Sequence, residues 1–347
     1  MEHASTASRR IIFDGRQEAA NKNQDRVWRR WGSFCSRGGL KTDPFLSSLR
    51  PDEQELFLRS FLGLYRTAQW SRDGKLAGSR STPVVGSTVQ NAASSLAAAF
   101  RNDNRPSPLH NQGGSHLRPV FRALIRAYDN QDPAPNRQKA ITPRLLRAFY
   151  DSSGANTIAL RDSAPSVTAN LVLGSFFFAC RACEYTKTKL PGRTKVIVLS
   201  GVIFRSATKK TIPHQHPDLL ALASYVTIIF VDQKSGKKMD ARTQQQTGLP
   251  FLCPVLRFVS LVQRIRRLIP TATDDTNIST IIINRSIMKI TSTYVRTQLR
   301  LTCRTFGGKA VFGFDAQEIG NKSIRSGAAM SLFLTNTHTD RIMILGR

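Results

Sequence analysis

Acidic residues are scarce. The chain carries 23 Asp+Glu against 51 Lys+Arg, a formal charge of +28, and an excess of that size disfavours basic partners and points to nucleic acid or another polyanion. Long apolar runs are missing as well. The longest, "LVLGSFFFAC", is closed by Arg181, well short of the roughly 20 residues a membrane helix needs, so no membrane span is predicted. Cysteines number five, an odd count in a long chain without a signal peptide. That fits reduced thiols and an intracellular protein, nuclear if the source is eukaryotic, rather than a disulfide-stapled secreted one. Cys180 and Cys183 form a lone CxxC with no second cysteine pair or suitable histidine pair, and so read as core residues rather than zinc ligands. His214 and His216 in "PHQHP" read as loop residues, and no metal is expected. There is no internal repeat.

What the chain does have is a 40% apolar content with basic residues spread along its whole length, which describes a folded protein with basic faces rather than a charged tail on a neutral body. Its 347 residues are ample for two domains at about 150 residues each. Residues 1–20 read as a disordered tail. Val27, Trp31 and Phe34 then fall at helical spacing, and three more apolar stripes run through "PDEQELFLRSFLGLYRTAQW", "STVQNAASSLAAAF" (with Ser87 or Thr88 as cap) and "LRPVFRALIRAY", so that 21–128 forms a four-helix unit. The stretch 129–142, "DNQDPAPNRQKAIT", reads as an interdomain linker, and its cations Arg137 and Lys139 are candidate nucleic-acid contacts.

Thr142 followed by Pro143 starts a helix, and a buried helix ends near Ala179. "TKVIVLSGVIF" and "YVTIIFVDQKSGKKMDARTQ" are rich in β-branched residues, and the second contains a Ser-Gly turn; a small sheet with a hairpin accounts for both. Pro254 sits at a first-turn position of the next helix, and Thr291 or Ser292 caps a later one. "RIRR", Arg264 to Arg267, reads as a solvated helix face or, in so basic a chain, as a DNA-facing stripe.

Five pieces, "RACE", "FVDQK", "LCPV", "KSIRSGAAM" and "ILGR", occur in this order. From Asn21 to Arg347 the chain resembles the tyrosine recombinase, or phage integrase, family, in the versions carried by eukaryotic mobile elements. The resemblance implies a mainly α fold with a small β-sheet, in which a helical SAM-like core-binding domain precedes a tyrosine-recombinase-type catalytic domain at 143–347. It also implies a double-stranded DNA partner, possible homo-oligomers on DNA, and neither a cofactor nor a small-molecule substrate. Arg181 matches the first arginine of the family and Glu184 the acid that supports it. Lys234 stands at the hairpin lysine, with Lys237 and Lys238 as alternatives. Arg325 matches the second arginine. Lys322 stands where the family usually has histidine, and Arg347 where it has histidine or tryptophan after a Leu-Gly pair; both are departures.

Such a set serves phosphoryl transfer. Two guanidinium forks hold the non-bridging oxygens as charge grows on them, the hairpin lysine protonates the leaving 5′ oxygen, and a tyrosine stores the bond as a phosphotyrosine. In the family that tyrosine follows the Leu-Gly element by about one to three helical turns, whereas the last of the six tyrosines here is Tyr294. The expectation is a C-terminally truncated recombinase-type protein that holds a DNA phosphate without cutting beside it. The alternatives are a non-catalytic DNA- or RNA-binding module and a basic structural protein of a ribonucleoprotein.

Overall fold

A computed structural model of the chain describes residues 18–111, 116–134, 137–187, 194–233 and 237–346. It is mainly helical, 51% helix against 14% strand, and forms two compact units, Met1–Pro135 and Asn136–Arg347.

The first unit contains the helices α1 (Glu18–Arg37), α2 (Pro51–Thr67), α3 (Gly86–Asn102) and α4 (Pro119–Gln131). Trp31 of α1 is fully buried against the edge of Phe61, ring centroids 5.0 Å apart, and its indole N–H donates to the Pro44 carbonyl at 2.7 Å. A buried indole needs that acceptor. Ala92, Ala93 and Ala97 are buried on α3, where small side chains let α1 pack closely.

Two features of this unit depart from the sequence reading. Between α2 and α3 the chain makes an antiparallel hairpin, β1 (Ala68–Trp70) with β2 (Leu76–Ser79). Its turn holds Gly74 at φ 91°, and a Cβ there would lie 2.9 Å from the Arg29 backbone carbon, so both conformation and space call for glycine. Neither Ser87 nor Thr88 caps α3. The N-cap residue is Val85, whose side chain makes no cap bond, and the Gly86 N–H donates instead to Asp132 Oδ2 at 2.5 Å. The other oxygen of that carboxylate pairs with Arg66 Nη1 at 3.0 Å, and Arg66 also donates to the Val84 carbonyl at 3.1 Å and lies over the Tyr128 ring at 4.5 Å. One half-buried carboxylate thus ties the end of α2, the start of α3 and the end of α4 together.

The second unit begins with α5 (Pro143–Ser152), capped by Thr142, whose hydroxyl accepts from the Leu145 N–H at 3.3 Å. Next comes α6 (Ala164–Phe177), buried at every residue from Ser166 to Phe176. A four-stranded antiparallel sheet follows, made of β3 (Val202–Arg205), β4 (Thr211–Ile212), β5 (Tyr225–Asp232) and β6 (Lys238–Gln245) in the order β4-β3-β5-β6. The polar edge strand β6 reaches back to α6, where Gln244 Nε2 donates to the Phe177 carbonyl at 2.8 Å and so satisfies an orphan acceptor at a helix end.

The long helix α8 (Pro254–Leu268), with Pro254 in its first turn, packs on α6 and on the sheet; here α7 denotes the single turn Ala182–Tyr185. A second unexpected hairpin, β7 (Thr280–Ile283) with β8 (Ser286–Lys289), turns through Asn284 and Arg285, both at positive φ as a two-residue type I′ turn requires. Then come α9 (Ser292–Thr305), capped by the Thr291 hydroxyl rather than by Ser292, α10 (Gly308–Phe312), α11 (Ser323–Leu334) and α12 (Thr339–Gly346).

The segment after residue 136 is built into this unit. Lys139 N–H donates to the Glu318 carbonyl at 2.9 Å and Ile141 N–H to the Ser323 carbonyl at 3.1 Å, so the strand of chain expected to be a linker crosses the start of α11. Gly327 makes room for it: a methyl group there would overlap the Ile141 backbone. Gly327→Ala is therefore expected to destabilise the protein by about 1–3 kcal/mol, the usual range for overpacking. Thermal melting checks this, and an unchanged midpoint would mean that the crossing segment is not held against α11.

Candidate functional site

Arg181 owes its position to the way α6 ends. The Ala179 N–H bonds back to the Phe176 carbonyl and the Cys180 N–H to the Ser175 carbonyl, both at 3.0 Å, with Ala179 at φ 45°, a left-handed conformation that reverses the chain. Arg181 then becomes the N-cap residue of α7. Glu184, fully buried, accepts from the Arg181 backbone N–H through Oε2 at 2.7 Å and from Nη1 through Oε1 at 2.9 Å. A buried carboxylate is tolerated only when charged or polar groups meet it, and here it fixes a guanidinium whose side chain is 22% exposed. Glu184 and Arg181 thus form a bonded ion pair. Backbone bonds carry the arrangement outward: Ile197 N–H donates to the Glu184 carbonyl at 2.8 Å, and Lys187 N–H to the Ile290 carbonyl at 2.9 Å.

Arg325 is the third residue of α11 and is half-buried. Its helix packs on α6, the same helix whose end sets Arg181. Lys322 immediately precedes α11 and is exposed, with its backbone N–H donating to Gln138 Oε1 at 2.9 Å. Lys139 is also at this helix start, in a long ion pair with Glu318, 3.9 Å, and more than half exposed; such a pair contributes little. Arg137 is exposed two residues earlier. Linker cations and the Lys322 and Arg325 pair, nearly two hundred residues apart in sequence, therefore gather at one helix N-terminus, an electropositive end in its own right.

Lys234 and Arg347 lie outside the described residues. The hairpin alternatives Lys237 and Lys238 are exposed at the start of β6, where Lys238 pairs with Asp232 in the ladder.

Of "RIRR", Arg264 and Arg266 turn inward, whereas Arg267 is exposed. Arg264 is buried and donates to the Thr280 carbonyl, and burial lowers its pKa to about 10, so it remains charged at neutral pH. Arg266 donates to the Ala272 carbonyl at 2.9 Å and pairs with Asp274 at 2.8 Å, while Arg267 pairs with Asp162 at 2.5 Å. Arg257, one helical turn and more upstream on α8, is buried likewise: it donates to Asn170 Oδ1 at 3.0 Å and lies over the Tyr150 ring at 4.5 Å. The signal for the internal roles of Arg257 and Arg264 was in the sequence, since both are set among Val, Leu, Phe and Ile.

His214 meets Arg266 Nη2 through Nδ1 at 2.9 Å. All five cysteines are free, and among the described residues no group of His, Cys, Asp or Glu could hold a metal ion, nor is any helix long and apolar enough to cross a membrane. Burial raises the pKa of the Tyr185 hydroxyl far above its ordinary value and that of Tyr294 to a lesser degree, which disfavours the phenolate a nucleophile needs.

No family model matches the chain, and no curated protein matches it either.

Glu184→Gln keeps the size of the buried side chain but removes the charge that holds Arg181. A loss of about 1–3 kcal/mol is expected, measured as a lower urea midpoint with an unchanged slope; stability equal to that of the parent would mean that the pair does not fix the guanidinium.

Proposed function

We propose that the protein binds duplex DNA in the manner of a tyrosine recombinase, with Arg181 and Arg325 as the phosphate ligands of its second unit. The observation that carries this reading is the pair of supports on α6: one arginine is held by a buried carboxylate immediately after that helix, and the other is in the first turn of a helix packed on it. A guanidinium held in place by a carboxylate presents a planar, permanently charged fork of the kind that suits phosphate oxygens. A guanidinium in the first turn of a helix adds its charge to that of the backbone N–H groups there.

In the recombinase family these forks stabilise charge on the non-bridging oxygens while a tyrosine oxygen bonds to phosphorus and the 5′ oxygen leaves with a proton. Lys234, or one of Lys237 and Lys238, is the proton donor on this reading, and Lys322 adds a further positive charge beside the phosphate. Burial disfavours the ionised form of both Tyr185 and Tyr294, so neither suits the role of nucleophile. The role proposed for these residues is phosphate binding without strand cleavage at either tyrosine, as in a DNA-binding module of recombinase type.

Fluorescence anisotropy with a labelled duplex tests the proposal. Affinity is expected to fall steeply as salt rises, because each phosphate contact releases a counterion. Arg181→Ala and Arg325→Ala are each expected to weaken binding about tenfold, equivalent to ~1.4 kcal/mol. A double variant that melts like the parent and binds DNA equally well would overturn the assignment, and tighter binding to structured RNA than to duplex DNA would favour a ribonucleoprotein role instead.

Covalent chemistry has a separate readout. Incubation with a nicked suicide substrate is expected to leave no protein–DNA adduct that survives denaturation, and an adduct mapped to any of the six tyrosines would refute binding without cleavage.

A further inference from the structure

The first unit has an open cleft of about 640 Å³ between α1 and α3, bordered also by Tyr65 of α2 and by Arg80 just beyond β2. Three arginines, Arg26, Arg30 and Arg80, line it together with Asn23 and Asn91, and among the described residues no aspartate or glutamate does. Each arginine is anchored from one side. Arg26 Nη2 donates to Asn23 Oδ1 at 2.7 Å, Arg80 Nε donates to the Ala68 carbonyl at 2.9 Å, and the Arg30 guanidinium lies over the rings of Tyr65 at 5.2 Å and Trp70 at 5.9 Å. Arg30 Nε is buried with no hydrogen-bond partner among the described residues.

Burial lowers the Arg30 pKa, Tyr65 opposes the change, and the charges of Arg26 and Arg80 add to it. The three cations therefore repel one another across a concave, partly dry space, an arrangement that costs stability until an anion enters. The volume exceeds what a lone phosphate ion fills and falls within the usual range for organic ligands. Asn91 offers both donors and an acceptor, which suit the edge of a heterocyclic base, while Asn23 is engaged, accepting from Arg26 and donating to Ser95 Oγ at 3.2 Å.

We infer that this cleft binds the phosphate of a nucleotide, either free or as part of a nucleic-acid strand. The site is independent of Arg181 and Arg325, and its ligand is recognised by guanidinium forks on the phosphate with the Asn91 amide facing the base.

The test uses the full chain, with dATP and a short duplex as separate probes, followed by calorimetry and by tryptophan fluorescence, for which Trp70 beside Arg30 is a local reporter. Arg26→Gln combined with Arg80→Gln is expected to weaken dATP binding at least tenfold. Melting should stay the same or rise, because the change relieves like-charge repulsion. Arg30→Gln, which also alters packing on Tyr65 and Trp70, serves as the second variant. Loss of dATP binding with duplex affinity unchanged identifies a free nucleotide as ligand, and loss of duplex affinity identifies a strand nucleotide. If the parent binds no dATP and the double variant binds duplex as the parent does, or if dATP binds parent and double variant alike, the inference falls. Arg325→Ala separates the two sites: if it weakens duplex binding about tenfold while dATP binding persists, this inference stands apart from the role given to the second unit.

Discussion

Everything in the second unit is arranged to cover α6 on all sides. A helix buried from Ser166 to Phe176 has no wet face, and its polar side chains find partners within the protein, Ser175 Oγ excepted among the described residues. Thr168 returns its hydroxyl to the Ala164 carbonyl at 2.7 Å, and Asn170 gives an N–H to the Ser166 carbonyl at 3.1 Å and accepts from Arg257. Gly174 lets Phe258 of α8 come closer than a Cβ would allow, since that atom would sit 2.9 Å from the ring. Fully burying each Leu, Val or Phe of such a helix contributes about 1.5–3 kcal/mol, so the positions of α5, α8, α9 and α11, all packed on it, follow from one demand. The two arginines inherit their places from that demand. One emerges where the buried helix stops, and the other is carried by a helix recruited to cover it.

Features set by neighbours in sequence were legible before the structure was seen. Thr142-Pro143, Pro254 and Thr291 mark helix starts through local bonds and a fixed φ, and the uniform apolarity of "LVLGSFFFAC" marks a buried helix. Features set by distant residues were not. The cap of α3 comes from Asp132, 46 residues beyond Gly86, and the polar run at Ser87 and Thr88 misled for that reason. The hairpins at Gly74 and at Asn284-Arg285 depend on strand pairing, which a helix-period reading passes over. The order Arg181, Glu184, Arg325 could be read as a pattern, and the Arg181–Glu184 bond followed from a spacing of three residues. The meeting of Arg137 and Lys139 with the start of α11 could not be read, because it depends on a crossing that only Gly327 and Gly320 permit. The cluster of Arg26, Arg30 and Arg80 needed the adjacency of α1 and α3 to become visible.

Formal charge also means less than its size suggests. Arg66, Arg257, Arg264 and Arg266 are spent on carbonyls, rings and carboxylates inside the two units. Arginine is suited to such use, since its guanidinium is weakly hydrated and can meet several acceptors at once. The charge left to face solvent is that of the outward residues, among them Lys322 at the start of α11, Lys237 and Lys238 at the start of β6, and Arg26 beside the arginine-lined cleft.

The crossing of α11 by residues 139–141 has a mechanical side. Force applied to the chain at residue 137 does not first load α5, which begins only at Pro143. It reaches the hydrogen bonds from Lys139 to Glu318 and from Ile141 to Ser323, and through them the first turn of the helix that bears Arg325. Strain entering the second unit through residues 139–141 and the set of the Arg325 guanidinium are thus parts of one lever.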